Sequence, residues 1–240
     1  MRILLASDLH YRLPQFDWIL EQAPDVDVVV LAGDLLDLSS AVPLEAQIVV
    51  LQRFVAQLAE VTTVAVGSGN HDLTSRNDHD EKAAAWIEAM SADAVVDWTS
   101  IDRDGVRLTV CPWWDGPSTR ADLERYLEAA AEDRPERWVW VYHYPPDQAS
   151  VSWTGSRHIG DRDLNEWIAR FRPDLVLAGH IHNSPFVEGG GWLDHTDGCP
   201  VLNVGAQPGP VPPHAFIDLD VGTASWWSPY GAATEALWPT

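Results

Sequence analysis

Cysteine is nearly missing from this chain: 240 residues hold two, Cys111 and Cys199. Two thiols build no disulfide framework, and without a CxxC pair they build no thiolate zinc site. Both are expected to be buried or free thiols. Positive charge is scarce as well. Lys and Arg total 15 against 36 Asp and Glu, for a net charge of −21. A surface that acidic repels nucleic acid and anionic membranes at long range. Long apolar runs are also missing. No stretch approaches a membrane span. The opening run, Met1-Arg2-Ile3-Leu4-Leu5-Ala6-Ser7-Asp8, is too short for a signal-peptide core. These absences predict a cytoplasmic protein that stays off membranes. No internal repeat or linker divides residues 1–240, which are expected to form one domain with ample core.

The chain does have apolar strand-like runs alternating with helical patterns. Ile3 to Ser7 and Val61 to Val66 read as strands, and the apolar run Val26 to Ala32 as a strand buried on both faces. Helices are expected over Gln15 to Gln22, Pro43 to Ala59 and Glu81 to Met90. Trp98 to Asp102 and Val106 to Cys111, joined through Asp104-Gly105, read as a hairpin. Ala121 to Ala131 and Arg162 to Arg170 are expected helices, Trp138 to Tyr142 and Leu175 to Ala178 strands. The Gly- and Pro-rich tail, with Val201 to Val204, Phe216 to Leu219 and Ala224 to Trp227, reads as β structure. Gly189-Gly190-Gly191 is expected to be a hairpin turn rather than a phosphate cradle. The pattern predicts an α/β domain with two sheets inside and helices outside.

Each early strand leads into metal-capable groups: Asp8-Leu9-His10, Gly33-Asp34-Leu35-Leu36-Asp37, Gly69-Asn70-His71-Asp72, His143, and Gly179-His180-Ile181-His182. Ligands of open α/β sheets gather at the carboxyl ends of strands, so these groups are expected to meet. The glycines at 33, 69 and 179 allow sharp turns and close backbone approach. Two carboxylates facing two divalent ions leave roughly +2, enough to attract phosphate despite the acidic surface. Mixed nitrogen and oxygen ligands suit manganese, iron, zinc, nickel or cobalt better than cuprous copper or calcium.

In this order the blocks resemble the calcineurin-like metallophosphoesterases. The later Asn203-Val204-Gly205-Ala206 resembles the family's Asn-x-Gly-Ser turn, with Ala206 in place of serine. The resemblance implies a four-layer αββα sandwich around two divalent metal ions, with manganese the first choice. Carried over, Asp8, His10 and His182 bind one ion and Asn70, His143 and His180 the other, while Asp34 bridges. A hydroxide held between the ions attacks phosphorus, and His71, which binds no metal, assists the leaving group. Asp37 is a candidate to orient His71, and Asp72 reads as a local hydrogen-bonding residue.

Departures narrow the choice. Protein Ser/Thr phosphatases carry Arg-Gly after Gly-Asp-x-x-Asp and before Asn-His; here Leu38-Ser39 and Ser68-Gly69 stand there. Purple acid phosphatases use a tyrosine ligand at the position of Asp37. Lipid A precursor hydrolases have Arg, and many small bacterial phosphodiesterases Cys, where this chain has His71. The remaining pattern is similar to bacterial phosphodiesterases that include cyclic-nucleotide enzymes. A phosphodiesterase on a small phosphorylated substrate is therefore expected first. A phosphomonoesterase, a nuclease and a non-catalytic scaffold follow as alternatives. Trp113 and Trp114 are expected to pack the core, or else to wall a pocket that stacks a base or apolar group. His79, His158, His195 and His214 match no motif and read as surface or packing residues. No coiled-coil repeat or isolated apolar stripe marks a protein interface.

Overall fold

A computed structural model describes residues 1–238. In chain order its elements are β1 (Arg2–Ala6), α1 (Leu13–Gln22), β2 (Val28–Ala32), α2 (Leu44–Ala59), β3 (Thr63–Gly67), β4 (Ser75–Arg76), β5 (Lys82–Ala83), α3 (Ala85–Glu88), β6 (Val95–Val96), β7 (Thr99–Arg103), β8 (Val106–Val110), α4 (Pro117–Glu132), β9 (Arg137–Val141), α5 (Arg162–Phe171), β10 (Leu175–Ala178), β11 (Leu193–Thr196), β12 (Cys199–Asn203), β13 (His214–Asp218), β14 (Thr223–Ser228) and β15 (Gly231–Ala236). One large sheet has the order β15-β14-β13-β1-β2-β3-β6, the other β11-β12-β10-β9-β8-β7.

Strand periodicity sorts the core into three layers of contact. In β1, Ile3 and Leu5 face the second sheet, where Val139, Val141, Leu175 and Leu177 meet them. Leu4 and Ala6 point the other way, onto Phe16 and Ile19 of α1 and among Leu51 and Val55 of α2. The outer face of the second sheet, with Trp138, Trp140 and Val176, packs on Leu123 and Leu127 of α4 and Trp167 of α5. Successive side chains of a strand point to opposite faces, so strands buried on both sides read as unbroken apolar runs. The result is helices, sheet, sheet, helices. Among the described residues no helix is long and apolar enough to cross a membrane.

Strands β1, β2 and β3 are adjacent and parallel, as are β9 and β10. Their carboxyl ends therefore share one edge of the sandwich, and the residues that follow them converge there.

Three local expectations change. The helix expected over Glu81 to Met90 shrinks to Ala85–Glu88, because Lys82–Ala83 pairs with Ser75–Arg76. Glu81 is drawn outward: its carboxylate accepts from Ser118 N, Thr119 N and Thr119 Oγ1 at the first turn of α4. A tertiary helix cap has overridden local helix propensity. The run Gly189-Gly190-Gly191 precedes β11 and is not the hairpin turn. That turn is Asp197-Gly198, with φ of 48° and 81°, joining β11 to β12. The tail also holds more strands than its apolar runs marked, because β11 and β15 carry few buried residues. The expected hairpin through Asp104-Gly105 forms as β7 and β8.

Candidate metal centre

The loops that leave these strands are strained where they carry ligands. Asp8, His10, Asp34 and His180 have φ of 55°, 43°, 55° and 70°, in the left-handed region that non-glycine residues rarely occupy. Glycine makes room beside them. A Cβ on Gly33 would lie 2.5 Å from His143 Nδ1, and one on Gly179 would lie 2.6 Å from Asp8 Oδ2. A Cβ on Gly69 would overlap Asp34 Oδ1.

Side chains of Asp8, His10, Asp34 and His182 offer ligand atoms within 4.8 Å of one another, and so do those of Asp34, His143 and His180. The two groups share Asp34, whose Oδ2 lies 3.4 Å from His143 Nε2 and 4.0 Å from His10 Nε2. His182 Nε2 is 3.2 Å from Asp8 Oδ1 and 3.1 Å from His10 Nε2. Backbone partners aim the rings. His143 Nδ1 donates to Ala32 O at 2.6 Å and His10 Nδ1 to Leu36 O at 3.2 Å, which leaves both Nε2 atoms as electron-pair donors. Asp8 is fixed by His180 N, which donates to both of its oxygens at 3.0 and 3.1 Å. His143 Nε2 and Asn70 Oδ1 are buried without a hydrogen-bond partner among the described residues. Buried polar atoms without partners beside two carboxylates fit divalent cations, which would displace the proton those carboxylates favour on His143. The six residues of the two groups line a bowl that could hold two ions, with Asp34 common to both groups.

Burial works against both carboxylates, but neighbouring imidazoles outweigh it and hold Asp8 and Asp34 below the usual range. Burial would likewise lower His143, yet Asp34 and Asp8 raise it to about 9. Burial, with the His143 charge beside it, lowers His180 to about 4. Its hydrogen bond to Asp8 raises His182. Cations entering such a site compete with protons, so loading releases them.

His71 stands at the rim. Its N donates to Asp34 Oδ1 at 2.9 Å, and its ring meets His10 edge-on at 4.7 Å between centroids. Its side chain is 32% exposed, so the ring is open to an incoming molecule. Asp37 does not orient it. The Asp37 carboxylate accepts instead from Ser39 N and Oγ at 2.8 and 2.7 Å. Asp72, fully buried, reaches further than a local turn: it accepts from Asp34, Leu35, Leu36 and Gly69 N. Asn203 pins the last ligand loop, donating to Ile181 O and accepting from Gly205 N. Its only sequence signal was the Asn-x-Gly turn. His79 pairs with Asp122, His195 bonds Leu237 O, His158 bonds Ala149 O, and His214 packs on Trp18 and Trp227, all away from the bowl. A cavity of about 620 Å³ opens at the amino ends of β2 and β3, the opposite edge of the sheet.

The fold is similar to several solved structures. TT1561 of Thermus thermophilus is 17% identical, with 98% of each chain covered and a TM-score of 0.60. A dimetal phosphatase from Danio rerio is 13% identical, with 99% of each covered and a TM-score of 0.59. The purple acid phosphatase PPD1 from yellow lupin (Lupinus luteus) seeds is 15% identical and gives 0.57, over 98% of this chain and 53% of that one. At these identities the likeness is one of fold. No curated protein's sequence matches the chain. The sequence model for calcineurin-like phosphoesterases does match, over residues 1–184. That match runs past His182 and takes in every residue of the bowl: the chain belongs to the calcineurin-like phosphoesterase family.

Proposed function

We propose that this protein hydrolyses a small phosphodiester at a dinuclear metal centre. Asp8, His10, Asp34 and His182 would hold one ion, and Asp34, Asn70, His143 and His180 the other. The observation that carries this reading is the pair of ligand groups sharing Asp34, with a partly exposed histidine over their rim. Two divalent ions there would supply Lewis-acid charge toward phosphate oxygens and acidify water. Manganese is the first choice of metal, with iron, zinc, nickel and cobalt behind it.

The chain's own residues supply orientation and a proton. Ala32 and Leu36 carbonyls fix the tautomers of His143 and His10. His71 is anchored through its backbone to Asp34, and its ring is free to donate to the departing oxygen. Phosphomonoester hydrolysis is the second reading. What favours the diester is the complete motif order, which resembles that of bacterial phosphodiesterases that include cyclic-nucleotide enzymes. The acidic surface argues against nucleic acid as substrate. Two unpaired, buried thiols are in keeping with a cytoplasmic setting.

The test strips the protein of metal and reloads it with Mn(II), then Fe(II), Zn, Ni and Co. Hydrolysis of bis-p-nitrophenyl phosphate is compared with that of p-nitrophenyl phosphate. Diester turnover should exceed monoester turnover. His71→Ala should keep both ions and lose about 10²–10⁴ in kcat. Full activity in that variant would remove His71 from the reaction. A monoester preference would favour the second reading, and silence with two ions bound would point either to a narrow substrate or to a scaffold.

A further inference from the structure

A cavity of about 200 Å³ opens directly beside the second ligand group, lined by Pro112, Trp113, Trp114, Asp115, Tyr142, His143 and Tyr144. We propose that this cavity is a ring subsite, which seats a planar aromatic group of the substrate against Trp113. This rests on the phosphoesterase reading and names the class of ester it acts on.

Position comes first. His143 belongs both to the ligand group and to the cavity wall. The Trp113 ring lies 5.7 Å from the His143 ring and 5.2 Å from the His180 ring, centroid to centroid. Tyr144 stacks on Trp113 at 5.1 Å and 25° and meets His180 edge-on at 4.7 Å. A phosphoryl group held at the ions would have one ester arm within a side chain's reach of these rings.

Chemistry comes second. Among the described residues no Lys or Arg lines the cavity, so it is no second phosphate site. Its walls are mostly aromatic faces and a proline, which suit a flat group, and the Asp115 carboxylate among them is a further bar to a second phosphate. Its volume is more than a methyl or ethyl substituent would fill.

Rigidity comes third. Trp113 N donates to Ser68 Oγ at 2.8 Å, and Ser68 N donates to the buried Asp97 at 2.9 Å. Trp114 Nε1 donates to Tyr142 OH at 2.8 Å, and that hydroxyl donates to Asp161. These anchors hold the walls in place before a ligand arrives, and pre-organised walls lose little freedom on binding. Trp114 packs on the core layer of α4 and α5, whereas Trp113 joins none of the core clusters and stays partly exposed beside the site.

Phenylphosphonate and methylphosphonate test the subsite, because their P–C bonds survive and only the substituent differs. Calorimetry on the Mn-loaded protein should give phenylphosphonate a Kd about tenfold or more lower, the scale of one stacking contact. Trp113→Ala should bring the ratio of the two Kd values to near one, and Trp113→Phe should keep most of it. An acyclic adenine phosphonate separates the two sources of such a ring: tighter binding than phenylphosphonate assigns a nucleobase, weaker binding an aryl group. Equal affinity of the first two ligands for the wild type overturns the ring subsite and leaves the phosphoesterase reading standing. An unchanged ratio in Trp113→Ala also overturns it. Binding of neither phosphonate while two ions are bound overturns both readings.

Discussion

Asp72 is the residue that holds Asp34, the side chain the two ligand groups share. Its Oδ2 accepts from Asp34 N at 2.8 Å and Gly69 N at 2.9 Å, and its Oδ1 from Leu35 N and Leu36 N at 3.0 and 3.1 Å. Four buried donors thus converge on one carboxylate and tie the loop after β2 to the loop after β3. Leaving a buried donor unpartnered costs about 1–3 kcal/mol, so Asp72→Ala should destabilise the fold by roughly 4 kcal/mol or more. Asp72→Asn keeps one acceptor oxygen and should fall between. Urea denaturation measures both, and an alanine variant within about 1 kcal/mol of wild type would refute the latch. The ligand types were readable in the sequence, since Asp-x-His and Gly-His-x-His place them at strand ends. The latch was not: nothing in Asn70-His71-Asp72 reveals that Asp72 turns to a loop 36 to 38 positions away. Asp37 misled for the converse reason. Ser39, two positions on, supplies nearer donors than His71 can.

Among elements, α5 has a defect the site does not need. Asp161 caps its start, accepting from Asp163 N, while its end is closed by Arg172 with φ of 53°. Left-handed backbone costs a non-glycine residue about 1–2 kcal/mol, which is accepted at Asp8 and His180 because their side chains face the bowl. Arg172 is exposed and lies outside the bowl. Replacing it with glycine removes that strain, offset in part by about 0.4–1 kcal/mol of added unfolded-state freedom. Arg172→Gly should therefore stabilise the protein by about 0.5–1 kcal/mol, a rise of a few degrees in Tm by calorimetry. A fall in Tm would mean that the arginine makes contacts worth more than its strain. Elements with a doubly buried pattern, such as β2 and β10, were readable to within two residues. β15 was not, because five of its six residues are exposed and its pairing with β14 leaves no apolar signature. The stretch after Glu81 failed for a third reason, a cap supplied to a helix nearly 40 positions on.

At the scale of the whole molecule, charge sets the balance. A net charge of −21 makes the folded state repel itself, most strongly where screening is weak. Ion pairs oppose that repulsion. Arg170 meets Glu124 and Glu128 at the surface, and the largely covered Arg107 meets the exposed Asp102. Salt weakens both effects, so the sign of its influence depends on which is larger. Exposed pairs contribute about 0–1 kcal/mol each, and 15 cationic side chains limit their number. The 36 acidic groups leave most carboxylates without a cation to pair with, so repulsion should dominate. Raising NaCl from about 0.01 M to about 0.1 M shortens the screening length from ~30 Å to ~10 Å. The urea midpoint of the metal-loaded protein should therefore rise with added NaCl, with no change in the slope of the transition. A midpoint that falls over the same range would show that the arginine pairs outweigh the surplus of acid, and that the acidic surface is held together rather than merely tolerated.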